Sequence, residues 1–284
     1  MLFYILCTIL ALICGIVVDM LFLDTGISQK LLNVIFHKSS TRTDYPRDTV
    51  ILFQLSRGPY APSLSPFPLK LETYLRVAKI PYENDLSNKM SKKGKTPWIM
   101  YNGESVADSQ FCIDYLNKKL DIDLNSHLTE SEKGIARAFQ KMTEENLYWA
   151  IASWRWYIDK TKAIKQLISV PSFVVWYVGR MVKKSTWGHG IGRHTPCEIK
   201  EISLKDLSAL SNFLGEKNYL MGDKISEVDC AIFGMLAQIL YHSPGSPHLK
   251  FVTESCQNLV DYVERIKQEV WPDWNENITR PPTK

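Results

Sequence analysis

The stretch Lys95-Thr96-Pro97-Trp98-Ile99-Met100-Tyr101-Asn102-Gly103-Glu104-Ser105-Val106-Ala107-Asp108-Ser109 constrains the fold more than any other. Two short apolar runs flank Asn102-Gly103. A two-residue type I′ turn needs positive φ at both central positions, and Asn-Gly supplies it, so the runs are predicted to pair as a hairpin. Asp108-Ser109 then offers side-chain oxygens to the unpaired N–H groups of a helix over residues 110–119.

The elements around this hairpin set the fold class. Residues 49–55 form a continuous apolar run, as a buried strand requires. A loop rich in Pro, Ser and Gly follows over residues 56–68. Residues 67–79 read as a helix, with Leu71, Leu75 and Ala78 on one face beside Phe67 and Tyr74. Pro81 marks its end and a second strand opens at residues 80–83. Strand–helix–strand implies a parallel pair, to which the hairpin adds antiparallel strands.

After about residue 125 the strand signals stop. Helices are predicted over residues 130–160 (Ile135, Phe139, Met142 and Leu147 in register), 163–184, 198–214, 227–241 and 249–270. A Gly/His loop is expected over residues 185–196. The helix at 227–241 is apolar nearly all round and therefore central. The aromatics Tyr148, Trp149, Trp154, Trp156 and Tyr157 read as core or domain interface, with a substrate-facing role as the alternative. The expected architecture is an α/β domain over residues 48–124, an all-α domain over 125–275 and a tail over 276–284.

Residues 1–23 stand apart. No charge occurs from Met1 to Val18, and eighteen helical residues span ~27 Å, close to a bilayer core. No basic residue precedes the run and no small-residue exit follows it, which favours a transmembrane anchor over a cleaved signal peptide. Residues 24–47 read as a tether. Lys30, Lys38, Arg42 and Arg47 follow the span, so the positive-inside rule places the body in the cytosol. Six cysteines without a C-x-x-C agree with a reducing compartment. The net charge of +4, read as Lys and Arg spread along the chain, gives no argument for nucleic acid. A sequon stands at Asn277-Ile278-Thr279; it is a chance match if the body is cytosolic.

Three further groups bear on chemistry. Ser65-Pro66-Phe67-Pro68 places a serine where a helix N-cap precedes proline at the first helical position. Ser226 and Asp229 form an S-x-x-D capping box at the start of the buried helix, a structural device. His189, His194 and Cys197 offer soft-metal ligands, with a solvent-facing interhelical loop as the plainer reading, so no metal site is assigned to them.

The order of these parts resembles the glutathione transferase superfamily over roughly residues 48–275. The chain is further identified as a member of its failed-axon-connections and cadmium-responsive branch, which is related to metaxins. The anchor, Gly188-His189-Gly190-Ile191-Gly192-Arg193-His194 and Val270-Trp271-Pro272-Asp273-Trp274 carry that likeness. The resemblance implies a thioredoxin-like N-terminal domain and an all-helical C-terminal domain behind an N-terminal transmembrane helix. It implies that Thr96-Pro97 is cis and pairs with the cysteinyl part of glutathione. Asp108 and Ser109 would then hold the γ-glutamyl end.

By the same resemblance Ser65 takes the place of the reactive cysteine of related enzymes, as a thiol-orienting group, and Pro68 that of the resolving one. Disulfide exchange needs thiolates, so both losses exclude it. The expected function is a membrane-anchored glutathione-binding or weakly conjugating protein of the metal or stress response. The alternative is a non-catalytic adaptor with protein partners, in an axon-development or metaxin-like role. Glutathione is expected as substrate or ligand, with no tightly bound cofactor and no nucleic acid. A lysosomal membrane follows from the cadmium-responsive likeness and the mitochondrial outer membrane from the metaxin one.

Overall fold

The computed structural model describes residues 45–168 and 170–280. The anchor predicted over residues 1–23, and nearly all of the tether, lie outside the described residues. Among the described residues no helix is long and apolar enough to cross a membrane.

The first domain follows the expected order: β1 (Val50–Phe53), α1 (Pro66–Val77), β2 (Tyr82–Asp85), β3 (Trp98–Tyr101), β4 (Glu104–Ala107) and α2 (Ser109–Leu120). The strands form one sheet in the order β2-β1-β3-β4. β1 and β2 are parallel, whereas β1–β3 and β3–β4 are antiparallel. The hairpin closes as its chemistry demands, with Asn102 at φ 48° and Gly103 at φ 86°. β1 is apolar throughout because both its faces are covered. Val50 and Leu52 pack with Ile99 against Leu71, Leu75, Ile113 and Leu116 of α1 and α2. Ile51 and Phe53 pack with Trp98 on the other face, where the Phe53 and Trp98 rings stack at 3.8 Å.

The second domain is helical. α3 (Glu130–Lys141) runs on through a π turn at Met142–Leu147, α4 (Tyr148–Ser153) and a second π turn at Trp154–Ile158. These wide turns break the phase assumed from a constant 3.6-residue period. Ile135, predicted to face the core, is 38% exposed, while Ala136, Gln140 and Leu147 are buried. The helix predicted over residues 163–184 is two pieces, α5 (Ile164–Leu167) and α6 (Ser172–His189), with Pro171 between them. α6 absorbs the first five residues of the predicted Gly/His loop, 185–189. α7 (Pro196–Leu214) starts on a capping box of Thr195 and Glu198 that the sequence reading passed over.

α8 (Glu227–His242) is buried nearly all round, as predicted. The helix predicted over residues 249–270 breaks at Cys256 into α9 (Pro247–Ser255) and α10 (Gln257–Val270). The predicted tail does not hang free at its start. The N–H groups of Thr279 and Arg280 donate to the carbonyls of Gly58 and Pro59. Asn277 of the sequon accepts from Arg57 at 2.7 Å and donates to Asp273.

The two domains meet where α8 crosses α1. A Cβ built on Gly234 would stand 2.6 Å from the carbonyl oxygen of Pro66 and 3.1 Å from the nitrogen of Lys70. Trp271 is buried beside them and its Nε1 donates to Thr73 Oγ1 at 3.0 Å. The Arg76 guanidinium lies 3.8 Å from the Trp271 ring and forks onto Asp273 at 2.6 and 2.9 Å. The Trp-Pro-Asp-Trp ending is thus a clamp on α1.

Two buried histidines, His242 at this junction and His248 within the helical domain, give the fold an acid sensitivity. His242 Nε2 accepts from the N–H groups of Tyr60 and Ala61 at 3.3 and 3.2 Å. Burial, and then Arg155, hold its pKa down at about 3. His248 Nε2 meets Ser203 Oγ at 2.9 Å, and burial holds its pKa at about 4. Both folded values lie below the unfolded one of ~6.5, so the unfolded chain takes up protons first as pH falls. Their contribution is full above pH ~6.5 and is lost progressively below it, by on the order of 2 kcal/mol per histidine at pH ~5. Asp229 and Glu227, whose carboxyls burial pushes up, titrate in the opposite sense at the acid end. Urea unfolding from neutral pH down to pH ~5 should therefore show a falling midpoint, with a shallower fall in His242→Gln. A flat midpoint over that range would contradict the assignment.

Candidate functional site

The site is built from the loop before β3 and from the start of α2. The Thr96-Pro97 bond is cis, as the resemblance implied. Thr96 Oγ1 is buried there without a hydrogen-bond partner. Lys95 reaches across to Asp108, Nζ to Oδ2 at 2.9 Å, and so ties the proline loop to α2. Asp108 sits at the N-cap with φ 93°, a backbone region that few non-glycine residues occupy. Its Oδ1 accepts from the Gln110 N–H at 3.1 Å. These partners hold its carboxyl below the usual range against the opposing pull of burial. Ser109 opens α2 and is buried.

Ser65 lies at the N-cap of α1, followed by Pro66 at the first helical position. Its hydroxyl caps no helix N–H, so the N-cap role read from sequence is one of position only. Its own N–H donates to Ser63 Oγ at 3.2 Å.

A cleft of about 460 Å³ opens between α2, α3 and the start of α8. Asp108, Asp114 and Glu227 give it acidic walls; Lys133, Arg137 and Lys141 give it basic ones. Of the predicted site residues only Asp108 lines it. Beneath runs a buried polar network that sequence reasoning missed. Lys70 of α1 pairs with Glu144 of the first π turn at 2.6 Å and donates to Gln110 Oε1 at 2.7 Å. Gln140 donates to both Gln110 and Glu144. No local signal could reveal a pair 74 residues apart; a Lys on the buried face of α1 was the one available hint.

The capping residues stand as read from sequence. The Asp229 carboxylate accepts from the Ser226 N–H and hydroxyl, the Leu220 N–H and the Tyr262 hydroxyl. The soft-metal trio does not assemble. His189 packs its ring 5.5 Å from Trp149, and His194 faces Glu198 with Nδ1 4.0 Å from Oε2. Cys197 is exposed on α7. Among the described residues no three His, Cys, Asp or Glu side chains are grouped to hold a metal ion.

The helical aromatics serve the interior: Tyr148 packs on Phe67 across the domain junction, and Trp154 packs on His248. Cys112 at the base of α2 is pushed up to about 12 by burial, so it is no thiolate at neutral pH.

A four-stranded βαβ–ββα domain with a cis-proline, joined to a helical domain, is the architecture of glutathione transferases. A glutathione S-transferase of Ceriporiopsis subvermispora, solved in complex with glutathione, overlays with a TM-score of 0.55 at 16% identity, covering 77% of this chain and 96% of that one. The families described as glutathione S-transferase N-terminal domain and C-terminal domain match residues 66–162 and 204–266. Failed axon connections of Drosophila melanogaster is 35% identical over 84% of this chain and 62% of its own length. The match thus spans less than two thirds of that relative. Isoprene-epoxide–glutathione S-transferase of Rhodococcus is 29% identical over 73% of this chain and 93% of its own. Metaxin-2 of Mus musculus is 22% identical over 82% and 92%. The chain belongs to the metaxin-related family of glutathione S-transferase-like proteins that includes failed axon connections.

Proposed function

We propose that this chain is a glutathione-binding protein held at a membrane by residues 1–23, with its body on the cytosolic side. The observation that carries this reading is the cis Thr96-Pro97 loop tied to the strained N-cap Asp108 at the head of α2. A helix N-terminus favours a carboxylate, and Asp108 supplies the counter-charge for an ammonium. Glutathione carries both groups at its γ-glutamyl end. The cleft beside Asp108, acidic on one side and basic on the other, suits the same zwitterion.

The thiol end falls to Ser65, whose hydroxyl is not spent on capping α1. In a conjugating reaction it donates a hydrogen bond to the glutathione thiolate, which attacks an electrophile. With neither Ser65 nor Pro68 carrying sulfur, no disulfide forms at this position. A second reading, a membrane-bound adaptor that uses the fold to hold protein partners, draws on one specific feature. Lys95 already occupies Asp108 as a built-in ammonium. That pair is exposed and weak, so a ligand ammonium can displace it.

Calorimetric titration of the full chain with glutathione separates the two. Binding in the millimolar range or tighter is expected, and Asp108→Ala should weaken it about tenfold, the worth of one charge-assisted contact. An absence of heat at millimolar glutathione would leave the adaptor reading standing. Unchanged affinity in Asp108→Ala would move the site elsewhere.

A further inference from the structure

The net charge of this chain is not spread evenly. Residues 160–197 carry Lys160, Lys162, Lys165, Arg180, Lys183, Lys184 and Arg193, and not one Asp or Glu. These seven exceed the net charge of the whole chain, +4, so the remainder is acidic. From residue 163 on, the segment lies between the two stretches that match the transferase families, residues 66–162 and 204–266.

Its main element is α6. At roughly 100° per residue, Phe173, Trp176, Arg180, Lys183, Lys184 and Trp187 fall within about a 100° arc of one helix face. Phe173, Trp176 and Trp187 are 57%, 44% and 58% exposed. The opposite side, with Val174, Val175 and Thr186, is buried. Three large aromatics and three cations thus share one outward stripe, with the aromatics toward its two ends ~21 Å apart. Arg180 lies 5.5 Å from the Trp176 ring and Arg193 lies 5.7 Å from that of Trp187.

We propose that this face of α6 docks on an anionic membrane surface. Aromatic rings with a polar neighbour settle at the headgroup level of a bilayer, and basic side chains are drawn to an anionic leaflet. The helix is too charged to span, so on a membrane it would lie along the surface with its aromatic and basic stripe toward the headgroups. A guanidinium already covers one side of two of the rings, which suits their insertion among headgroups rather than the stacking of a nucleic-acid base. The surface does not depend on glutathione binding, nor on the span at residues 1–23. It would orient the body against the leaflet with the α6 side down.

The test is quenching of tryptophan fluorescence by brominated phosphatidylcholine. The full chain is reconstituted in vesicles with or without phosphatidylserine. Phosphatidylserine should increase the quenching, and high salt or the triple change Arg180→Gln, Lys183→Gln and Lys184→Gln should remove the increase. The double variant Trp176→Phe and Trp187→Phe keeps the docking chemistry but removes two of eight reporters. It should lose at least about half of the quenched amplitude if these rings enter the interface.

Equal quenching with and without phosphatidylserine would overturn the proposal, as would an unchanged amplitude in the double variant. So would a dimer of the full chain that dissociates on Trp176→Ser and Trp187→Ser, because the stripe would then be an interface between copies.

Discussion

Gly234→Val is expected to prevent α8 from docking on α1, at a cost on the order of 4 kcal/mol or more, a large share of the stability of such a fold. The two helices touch backbone to backbone at this residue. A Cβ there would stand 2.6 Å from the Pro66 carbonyl oxygen and 3.1 Å from the Lys70 nitrogen. Neither neighbour is a flexible side-chain end, so the helices must separate to admit it. Separation strains the buried pair of Lys70 with Glu144 and the clamp of Trp271 and Asp273 on α1. Overpacking usually costs about 1–3 kcal/mol, but here it also opens a charged contact. Gly234→Ala should show the smaller part of this loss. Urea unfolding of both variants checks it; a Gly234→Val midpoint equal to the parent's would mean that the helices do not cross so closely.

Asp229→Ala should cost on the order of 3–5 kcal/mol, against ~1 kcal/mol for removing its capping partner in Ser226→Ala. The carboxylate is fully buried and takes four donors: Leu220 N–H, Ser226 N–H, Ser226 Oγ–H and Tyr262 O–H. Alanine leaves all of them without an acceptor inside the core, and each buried orphan costs about 1–3 kcal/mol before relaxation. Ser226→Ala removes one donor and orphans none of the others. Asp229→Asn should fall between, because its amide nitrogen turns a donor toward donors. Thermal unfolding of the three variants ranks them, and a loss in Asp229→Ala no greater than that in Ser226→Ala would refute the network argument.

Much of the first domain was legible in the sequence because its signals are local. The Asn102-Gly103 turn and the Asp108 cap, like the Ser226–Asp229 box of the second domain, are each set by residues within three positions of one another. The cis Thr96-Pro97 bond and the likeness to glutathione transferases were readable from order and motif together. The helical domain was less legible. In the long helix the buried face of the first segment runs through Ala136 and Gln140 and leaves Ile135 outside it, and two π turns shift the face further on. Pro171 and Cys256 divide helices whose apolar period alone runs on. His189, read from the sequence as part of an interhelical loop, instead ends a helix and packs on Trp149.

By itself the sequence determined the order of strands and helices, the turn and cap chemistry, the absence of a dithiol at Ser65 and Pro68, and the family. Those depend on residue type and on spacings of a few positions. Only the tertiary structure decided that Lys70 is neutralised by Glu144, that Trp271 and Asp273 clamp α1, and that Lys95 closes on Asp108. It also decided that three aromatics and three cations share one outward face of α6. Such pairings join residues far apart in the chain or depend on which face packing leaves exposed. Their energies come from burial and charge neutralisation, which exist only once the two domains have closed on each other.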